Sequence, residues 1–248
     1  SMPYIQKDLG WDHWWFKGKM HTVLHNIPNI KRNPLGYIFE ILKIRNDKDS
    51  MWLEFGVYTG KTINYISQFT PYTVHGFDSW EGLPEDWRTE DGINGYPKGK
   101  FGDVEMPEVS KNVKLYKGWF SDTLPKFVEK HKKNLKVSFI HMDADLYSST
   151  KCVFDNLKDY IEPGCVILFD ELVNYGGFDN EKGELRAFVE YISENNVEWE
   201  WIGMNGEIGM WGFDLNLDGD NSVAGCNQGN LISHEQAAIR ILSINKKI

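Results

Sequence analysis

The sequence has few cysteines, few basic residues and no long apolar run. Only three cysteines occur in 248 residues, their number is odd, and their spacing matches no zinc motif. These features predict reduced thiols and a cytoplasmic protein. No apolar stretch approaches the roughly 20 residues that a membrane-spanning helix needs. The sequence therefore predicts a protein without a membrane partner.

Acidic residues outnumber basic ones. The chain has 36 Asp and Glu residues against 27 Lys and Arg residues, a formal net charge of −9. Because nucleic acids and anionic membranes attract basic surfaces, this balance argues against both as partners. Hydrophobic residues make up 41% of the chain, which suits a globular protein with a sizeable core.

Helical and strand-like patterns alternate from about residue 34, as in proteins with parallel sheets. The chain ends this pattern with two strand-like segments around Asn205-Gly206, a dipeptide typical of two-residue hairpins. We therefore predict an α/β fold: a doubly wound, mostly parallel, seven-stranded Rossmann-like sheet with an antiparallel C-terminal hairpin strand and helices on both faces. The first five strand-like segments are 51–55, 73–78, 113–118, 136–144 and 165–171.

Three segments fall outside the alternating pattern of a domain expected over 34–215. Residues 1–33 are an aromatic-rich N-terminal extension whose "WDHWWF" motif we expect to pack on the core, and they favour a homo-oligomer. Residues 79–112 form a glycine-containing insertion, expected to be a lid. Residues 216–248 form a polar tail in which Ser233 and Gln236 match a capping box and predict a short last helix.

The stretch "EFGVYTGKT" (54–62) admits two interpretations. Gly56 and the Gly60-Lys61-Thr62 run resemble a phosphate-binding loop, but such a loop has four residues between its first glycine and the Gly-Lys pair, and here there are three. A loop that binds S-adenosylmethionine (SAM) explains more. It accounts for the acidic Glu54, and Asp78 follows Gly60 by 18 residues, near the spacing expected of a carboxylate that binds ribose hydroxyls.

Five segments, in this order, resemble macrocin-type (TylF-like) O-methyltransferases, which are class I SAM-dependent enzymes that methylate sugar hydroxyls. The similarity covers about residues 50 to 192, and neither end of the chain is included. The segments are "WLEFGVYTGKTI", "HGFDSWEGLPEDW", "LYKGWFSDTLP", "FIHMDADLYSST" and "PGCVILFDE".

The loop pattern and the resemblance together define a predicted SAM site. The resemblance implies that Trp119 and Phe120, in "GWFSDTLP", lie near the adenine ring. The complete set of predicted cofactor-binding residues is Glu54, Gly56, Tyr58, Gly60, Thr62, Asp78, Ser79, Trp119 and Phe120.

Acidic residues end two neighbouring strands and predict a divalent-cation site. Asp143 ends the fourth strand, and Asp170 and Glu171 end the fifth. An all-oxygen set suits Mg²⁺, or Mn²⁺ or Ca²⁺. The resemblance implies the same site, usually with Asp where this chain has Glu171.

The general base is predicted among the residues near the fourth strand end. Asp143 is the first candidate, acting directly or through the metal. His141 is the second, although it lies deeper in the strand and suits a hydrogen-bonded core histidine better. Asp145 shares a face with Asp143 by strand alternation, or else it caps the helix that follows.

The leading hypothesis is a metal-dependent SAM O-methyltransferase that acts on a hydroxyl of a sugar or glycosylated small molecule. A Mg-nucleotide phosphotransferase built on the Gly60-Lys61-Thr62 loop is the first alternative. A non-catalytic SAM-binding module is the second.

Overall fold

A seven-stranded mixed sheet runs through the centre of the molecule. The structure is a computed structural model that describes residues 14–88, 95–179, 182–210, 213–215 and 231–245. The strands are β1 (Ser50–Phe55), β2 (Val74–Asp78), β3 (Val113–Lys117), β4 (Lys136–Met142), β5 (Ile161–Phe169), β6 (Val197–Gly203), β7 (Phe213–Leu215), β8 (Leu231–Ser233) and β9 (Ala237–Ile244). The strand order of the large sheet is β3-β2-β1-β4-β5-β9-β6, and β7 and β8 pair in a separate two-stranded sheet.

Helices cover both faces of the large sheet, and each face has its own apolar cluster. Leu53 and Phe55 of β1 pack into one cluster, whereas Trp52, the residue before Leu53, packs into the other because neighbouring side chains of a strand point to opposite faces. The helices are α1 (Trp14–His25), α2 (Pro34–Gly36) with a π-helix that continues it (Tyr37–Leu42), α3 (Lys61–Ser67), α4 (Phe120–His131), α5 (Tyr147–Leu157) and α6 (Glu184–Glu194). Helices α1, α4, α5 and α6 cover the first face, and α2, the π-helix and α3 cover the second.

Strands β1 to β5 pair in parallel, and β9 joins the sheet antiparallel to both β5 and β6. The predicted Rossmann-like fold is confirmed. In open parallel sheets, ligands bind beyond the carboxyl ends of the strands. This arrangement places the ends of β1, β2, β4 and β5 side by side, where the candidate residues cluster.

The predicted hairpin at Asn205-Gly206 is wrong. Strand β6 ends at Gly203, and its antiparallel partner is β9 rather than the segment that follows the dipeptide. The backbone N–H of Gly206 instead donates to the Asn29 side chain at 3.0 Å. The turn-forming dipeptide therefore ends a strand without returning the chain alongside it.

The predicted last helix is also wrong, because residues 237–244 form strand β9. Ile239 and Ile241 are fully buried between β5 and β6, and Leu242 is exposed, so the burial alternates with the period of a strand. The pairing of this segment between β5 and β6 outweighs its local helix signals, because helix propensity determines secondary structure more weakly than burial does. The sheet thus continues beyond residue 215, where the predicted domain boundary lay.

The described part of the N-terminal extension packs on the core. Met20 and Leu24 of α1 belong to the large apolar cluster, and the indole N–H of Trp201 donates to the Val23 carbonyl at 3.2 Å. The first three residues of the "WDHWWF" motif and the side chains of the rest lie outside the described residues. In the part of the chain that the structure describes, no helix has the length and apolar character needed to span a membrane.

Candidate active site

A cavity of about 700 Å³ lies at the carboxyl ends of the parallel strands. One wall is formed by the loop after β1 and by Asp78 at the end of β2. A second wall consists of carboxylates after β4 and β5, including Asp143 and Asp170. Residues of the 79–112 insertion, among them Leu83 and Trp87, cover it. The cavity thus brings the predicted SAM loop and the predicted cation ligands into one space.

Close packing against the end of β4 explains why a glycine follows β1. Gly56 has a φ of +95°, and a Cβ atom there would lie 2.0 Å from the carbonyl oxygen of Asp143. Any side chain would therefore push the loop away from the end of β4. Gly60 has a φ of +81° where helix α3 begins, so it serves the turn.

Asp78 holds the loop by hydrogen bonds from backbone N–H groups. Its Oδ2 accepts from Val57 and from Tyr58, each at 2.9 Å, and its Oδ1 accepts from Trp80 at 3.0 Å. A phosphate-binding loop needs such N–H groups for its ligand. Because two of them already point at a carboxylate, this loop lacks the character of a phosphate cradle.

Seven of the nine predicted cofactor-binding residues line the cavity: Gly56, Tyr58, Thr62, Asp78, Ser79, Trp119 and Phe120. Gly60 does not line it, which agrees with its place at the helix start. Glu54 does not line it either, because its side chain is fully buried in β1. The structure does not support a direct contact between Glu54 and the cofactor.

Glu54 instead belongs to a buried chain of hydrogen bonds beneath the cavity. Its Oε2 contacts Nδ1 of His141 at 2.8 Å, and the Nε2 of His141 contacts Oδ1 of Asp170 at 3.2 Å. Burial opposes a charge on the ring, but the hydrogen bonds to Asp170 and Glu54 outweigh it and hold the pKa of His141 well above its ordinary value. Each ring nitrogen therefore faces a carboxylate oxygen.

His141 is consequently not placed as a general base. It is 2% exposed, does not line the cavity and is engaged on both sides by carboxylates. The prediction of a catalytic His141 is corrected: the ring orients Asp170 from below. The core role that the sequence also allowed is the one the structure shows.

Four carboxylates form what we call the carboxylate centre: Asp143, Asp145, Asp170 and Glu171. The backbone N–H groups of Asp143 and Asp170 donate to Phe55 and Met142 respectively, each at 2.9 Å, so both residues directly continue the sheet. Asp145 has a φ of +64°, which turns the chain back toward the cavity before α5. Oxygens of Asp143, Asp145 and Glu171 lie within 4.8 Å of one another, and Asp143 and Asp170 form a similar group with His141.

Burial and mutual repulsion determine the ionisation of this centre. Burial, together with the charges of Asp170 and Asp145, holds the pKa of Asp143 well above its ordinary range. Burial also raises the pKa of Asp145 to about 7, against the lowering effect of its hydrogen bond with Glu171. Asp170 behaves differently, because hydrogen bonds, first that of His141, overcome the effect of burial and lower its pKa.

The carboxylate centre fits a divalent cation. Its ligands are all oxygens, which Mg²⁺, Mn²⁺ and Ca²⁺ prefer. Within the described residues, Glu171 Oε2 is buried and has no hydrogen-bond partner. Such an atom is costly unless something positive neutralises it. The predicted ligands Asp143, Asp170 and Glu171 therefore lie together, and Asp145 joins them.

The insertion contributes an aromatic wall. Trp87 stacks on Tyr96, with ring centroids 5.3 Å apart, and Tyr96 approaches Phe101 at 5.6 Å. Gly82 allows this fold-back, because a Cβ there would lie 2.4 Å from the Gly99 carbonyl oxygen. Trp87 and Phe101 line the cavity, so the insertion presents aromatic faces to a ligand.

Sequence reasoning missed a second group of polar residues, which contact side chains that line the cavity. Arg88 of the insertion forms an ion pair with Glu235, and its guanidinium contacts the rings of Trp87 and Tyr175, 4.2 and 4.3 Å from their centroids. Gln236 donates to Asp170. The available signal was the polar run "SHEQ" (233–236) before an apolar segment, which suggested a helix cap rather than a buried connection.

Residues 53–172 match a family model described as a methyltransferase domain. The crystal structure of CalS11, a calicheamicin methyltransferase, is similar with a TM-score of 0.54 and 17% identity over 90% of this chain and 80% of that one. The O-methyltransferase NovP gives a TM-score of 0.51 and 18% identity over 84% of this chain and 79% of that one. These two structures share the fold. No curated protein sequence matches significantly.

The chain is thus an enzyme with a SAM-dependent methyltransferase domain. This confirms the prediction of a SAM-dependent methyltransferase at the level of the domain class. The narrower resemblance to macrocin-type enzymes stays a prediction, as do the cytoplasmic location and the homo-oligomer.

Proposed function

We propose that the protein is a metal-dependent SAM O-methyltransferase whose acceptor is a hydroxyl of a sugar or glycosylated small molecule. One observation carries the proposal: the glycine loop with Asp78 and the carboxylate centre open into the same cavity of about 700 Å³. A methyl donor and a metal-activated hydroxyl have to meet in one space, because methyl transfer is an in-line displacement.

The cofactor would be held at the loop end of the cavity. Asp78 offers carboxylate oxygens suited to ribose hydroxyls, and Trp119 and Phe120 offer aromatic faces suited to adenine. The negative charge of Asp78 also suits a cofactor that carries sulfonium and ammonium groups. In this proposal the loop supplies binding and orientation, and it takes no part in proton transfer.

The acceptor would bind between the carboxylate centre and the insertion. Polyhydroxylated rings stack on aromatic faces and donate hydrogen bonds to carboxylates. Trp87 and Phe101 supply such faces, and Asp143 and Asp145 supply such carboxylates. The acceptor class is inferred from this pairing of aromatic and acidic walls.

The carboxylate centre would bind the acceptor oxygen and take up its proton. A divalent cation held by Asp143, Asp170 and Glu171 would supply Lewis acidity that lowers the pKa of the hydroxyl. We assign the proton-accepting role to Asp145 rather than Asp143, because Asp143 belongs to both groups of close ligand atoms whereas Asp145 belongs to only one of them. Asp145 lines the cavity beside it.

Calorimetric titration with SAM, with and without Mg²⁺, tests the proposal first, with Mg-ATP as the rival ligand. We expect SAM to bind at micromolar concentration and the Asp78→Ala variant to bind it more weakly. Methyl transfer to a panel of glycosides, followed by mass spectrometry, tests the second half. Incorporation that EDTA removes and Mg²⁺ restores is the expected result.

Two outcomes would redirect the proposal. Tight Mg-ATP binding that depends on Lys61, without SAM binding, would indicate the phosphotransferase. SAM binding that persists without any methyl transfer, and that is unchanged by Asp143→Asn and Asp170→Asn, would indicate the non-catalytic module. Two loop N–H groups already donate to Asp78, so they are not available to bind the phosphates of a nucleotide. This argues against the phosphotransferase.

A further inference from the structure

The segment Ser233–Gln236, which we call the polar connector, is buried although every one of its residues is polar. The four side chains are 2 to 5% exposed. The connector leads directly into β9, and β9 pairs with β5, the strand that carries Asp170 at its end. Buried polar residues are costly unless they are bonded, so the contacts of this segment indicate its purpose.

Gln236 contacts a predicted metal ligand. Its Nε2 donates to Oδ1 of Asp170 at 2.7 Å, and the same oxygen is approached by Nε2 of His141 at 3.2 Å. Only the N–H end of the amide can face a carboxylate oxygen. Its other end, Oε1, is buried without a hydrogen-bond partner among the described residues. The hydrogen bond to Asp170 is therefore the contact that explains the buried position of this amide.

We propose that Gln236 is a positioning residue that, with His141, fixes Asp170 for cation binding. The two nitrogen contacts on Oδ1 restrict rotation of the carboxylate and leave the other oxygen, Oδ2, outside both of them. Outer partners of this kind orient metal ligands and hold them in the geometry that the ion requires. The inference rests on the proposed metal-dependent function and names residues that act through Asp170.

The connector is itself anchored to the segment that carries the ligands. The Glu235 carbonyl accepts from the N–H groups of Leu172 and Val173, at 2.8 and 3.3 Å. The side chain of Asn174 donates to the His234 carbonyl at 2.8 Å. Because these partners directly follow Asp170 and Glu171, the distance between Gln236 and Asp170 is set by backbone contacts on both sides.

The neighbouring residue connects the same segment to the insertion. Glu235 pairs with Arg88, and the largely buried guanidinium contacts the rings of Trp87 and Tyr175. Adjacent residues thus contact the lid of the cavity on one side and a carboxylate of its centre on the other.

Affinity for Mn²⁺, used as a spectroscopic substitute for Mg²⁺, tests the proposal without an acceptor. Free Mn²⁺ is measured by electron paramagnetic resonance in titrations of the full chain. We expect Gln236→Met, which keeps the size but removes the N–H donor, to weaken Mn²⁺ binding about 10- to 100-fold. SAM affinity, measured by calorimetry, is expected to stay within about twofold, since Gln236 does not line the cavity.

Asn112→Leu is the matched control for a merely structural loss. Asn112 is also an amide that holds its surroundings, with Nδ2 donating to the carbonyls of Ser67, Thr70 and Tyr72, and it has no bond to the carboxylate centre. We expect this variant to lose thermal stability and keep its Mn²⁺ affinity. If Gln236→Met does not fold, Gln236→Asn, which shortens the amide, takes its place with the same expectation.

The outcomes separate this inference from the function on which it rests. Wild-type affinity in a folded Gln236 variant would overturn the positioning role and leave the metal-dependent function standing. Equal losses of Mn²⁺ and SAM affinity would also overturn it, because they would show general disruption. A wild-type protein that binds no Mn²⁺ would overturn both the metal site and this inference.

Discussion

The carboxylates at the two ends of the cavity have opposite surroundings. At the loop end, Asp78 accepts three backbone N–H groups and is satisfied before any ligand arrives. At the carboxylate centre, Asp143 and Glu171 lie among other acids, and burial together with that repulsion holds their pKa values well above the ordinary range. The loop end is thus preorganised by the backbone, whereas the centre gathers buried carboxylates whose repulsion a cation would relieve.

This difference separates two kinds of binding energy. A carboxylate that already accepts hydrogen bonds does not destabilise the ligand-free protein, and it can still add affinity for a ligand. Carboxylates that repel one another store a cost that a cation relieves, so binding and folding are linked there. The variants below test each side of this comparison.

The largest effect is expected at the carboxylate centre. Asp145→Asn removes the proposed proton acceptor and should lower kcat by about 10²- to 10⁴-fold, the usual contribution of a general base. Asp155→Asn, on the exposed side of α5, is the control and should keep full activity. The assay is methyl transfer to the best glycoside acceptor at saturating SAM. An Asp145→Asn variant with near wild-type kcat would assign the proton to another group.

A smaller effect is expected at the loop end. Asp78→Ala should weaken SAM binding by about 10- to 100-fold, in line with the loss of hydrogen bonds to a charged group. The substitution also leaves the N–H groups of Val57 and Tyr58 without their acceptor. Calorimetry measures the change, with Asp86→Ala of the insertion as control. Unchanged SAM affinity would show that Asp78 serves the loop alone.

The centre should also respond to cations when no other ligand is present. At 100 times its dissociation constant, Mg²⁺ should stabilise the fold by about 2.7 kcal/mol, which corresponds to a rise in Tm of roughly 5 to 10 °C. Asp170→Asn should abolish this rise, and Asp78→Ala should retain it. Differential scanning calorimetry with and without EDTA gives the comparison. A rise that survives in Asp170→Asn would place the cation elsewhere.

The smallest effect concerns the strand that carries Asp78. Burial, with the charges of His131 and Lys114, lowers the pKa of His75 to about 3, so the unfolded chain binds a proton below pH 6.5 that the folded protein does not. Stability is therefore lost as pH falls, by about 2 kcal/mol between pH 7 and pH 5. The His75→Gln variant should lack this component. Urea unfolding at both pH values measures the free energy of unfolding of the two proteins. An equal loss of that free energy between pH 7 and pH 5 in the wild type and in His75→Gln would contradict the prediction.

The parallel half of the sheet was predictable because its signals are local. Strands β1 to β5 are short apolar runs that end in glycines or acids, and the acids of adjacent parallel strands necessarily meet at one edge. The gathering of Asp143, Asp170 and Glu171 follows from that geometry alone. The strand pattern also allowed Asp145 to share their face.

The remainder was not predictable, because it depends on contacts far apart in the sequence. Residues 237–244 carry helix-forming alanines after a capping box, and only the slot between β5 and β6 makes them a strand. The role of Glu54 turns on its hydrogen bond with His141, 87 residues away. Arg88 and Glu235 are 147 residues apart, and no local pattern could have paired them.

The place of β9 in the sheet has a consequence for biosynthesis. A growing chain that ends before residue 237 has strands β5 and β6 without their shared neighbour, so both would expose unpaired edges on the ribosome. Gln236 and Glu235 emerge only just before that strand. The contacts of Gln236 with Asp170 and of Glu235 with Arg88 therefore form only after every other strand of the large sheet has been synthesised.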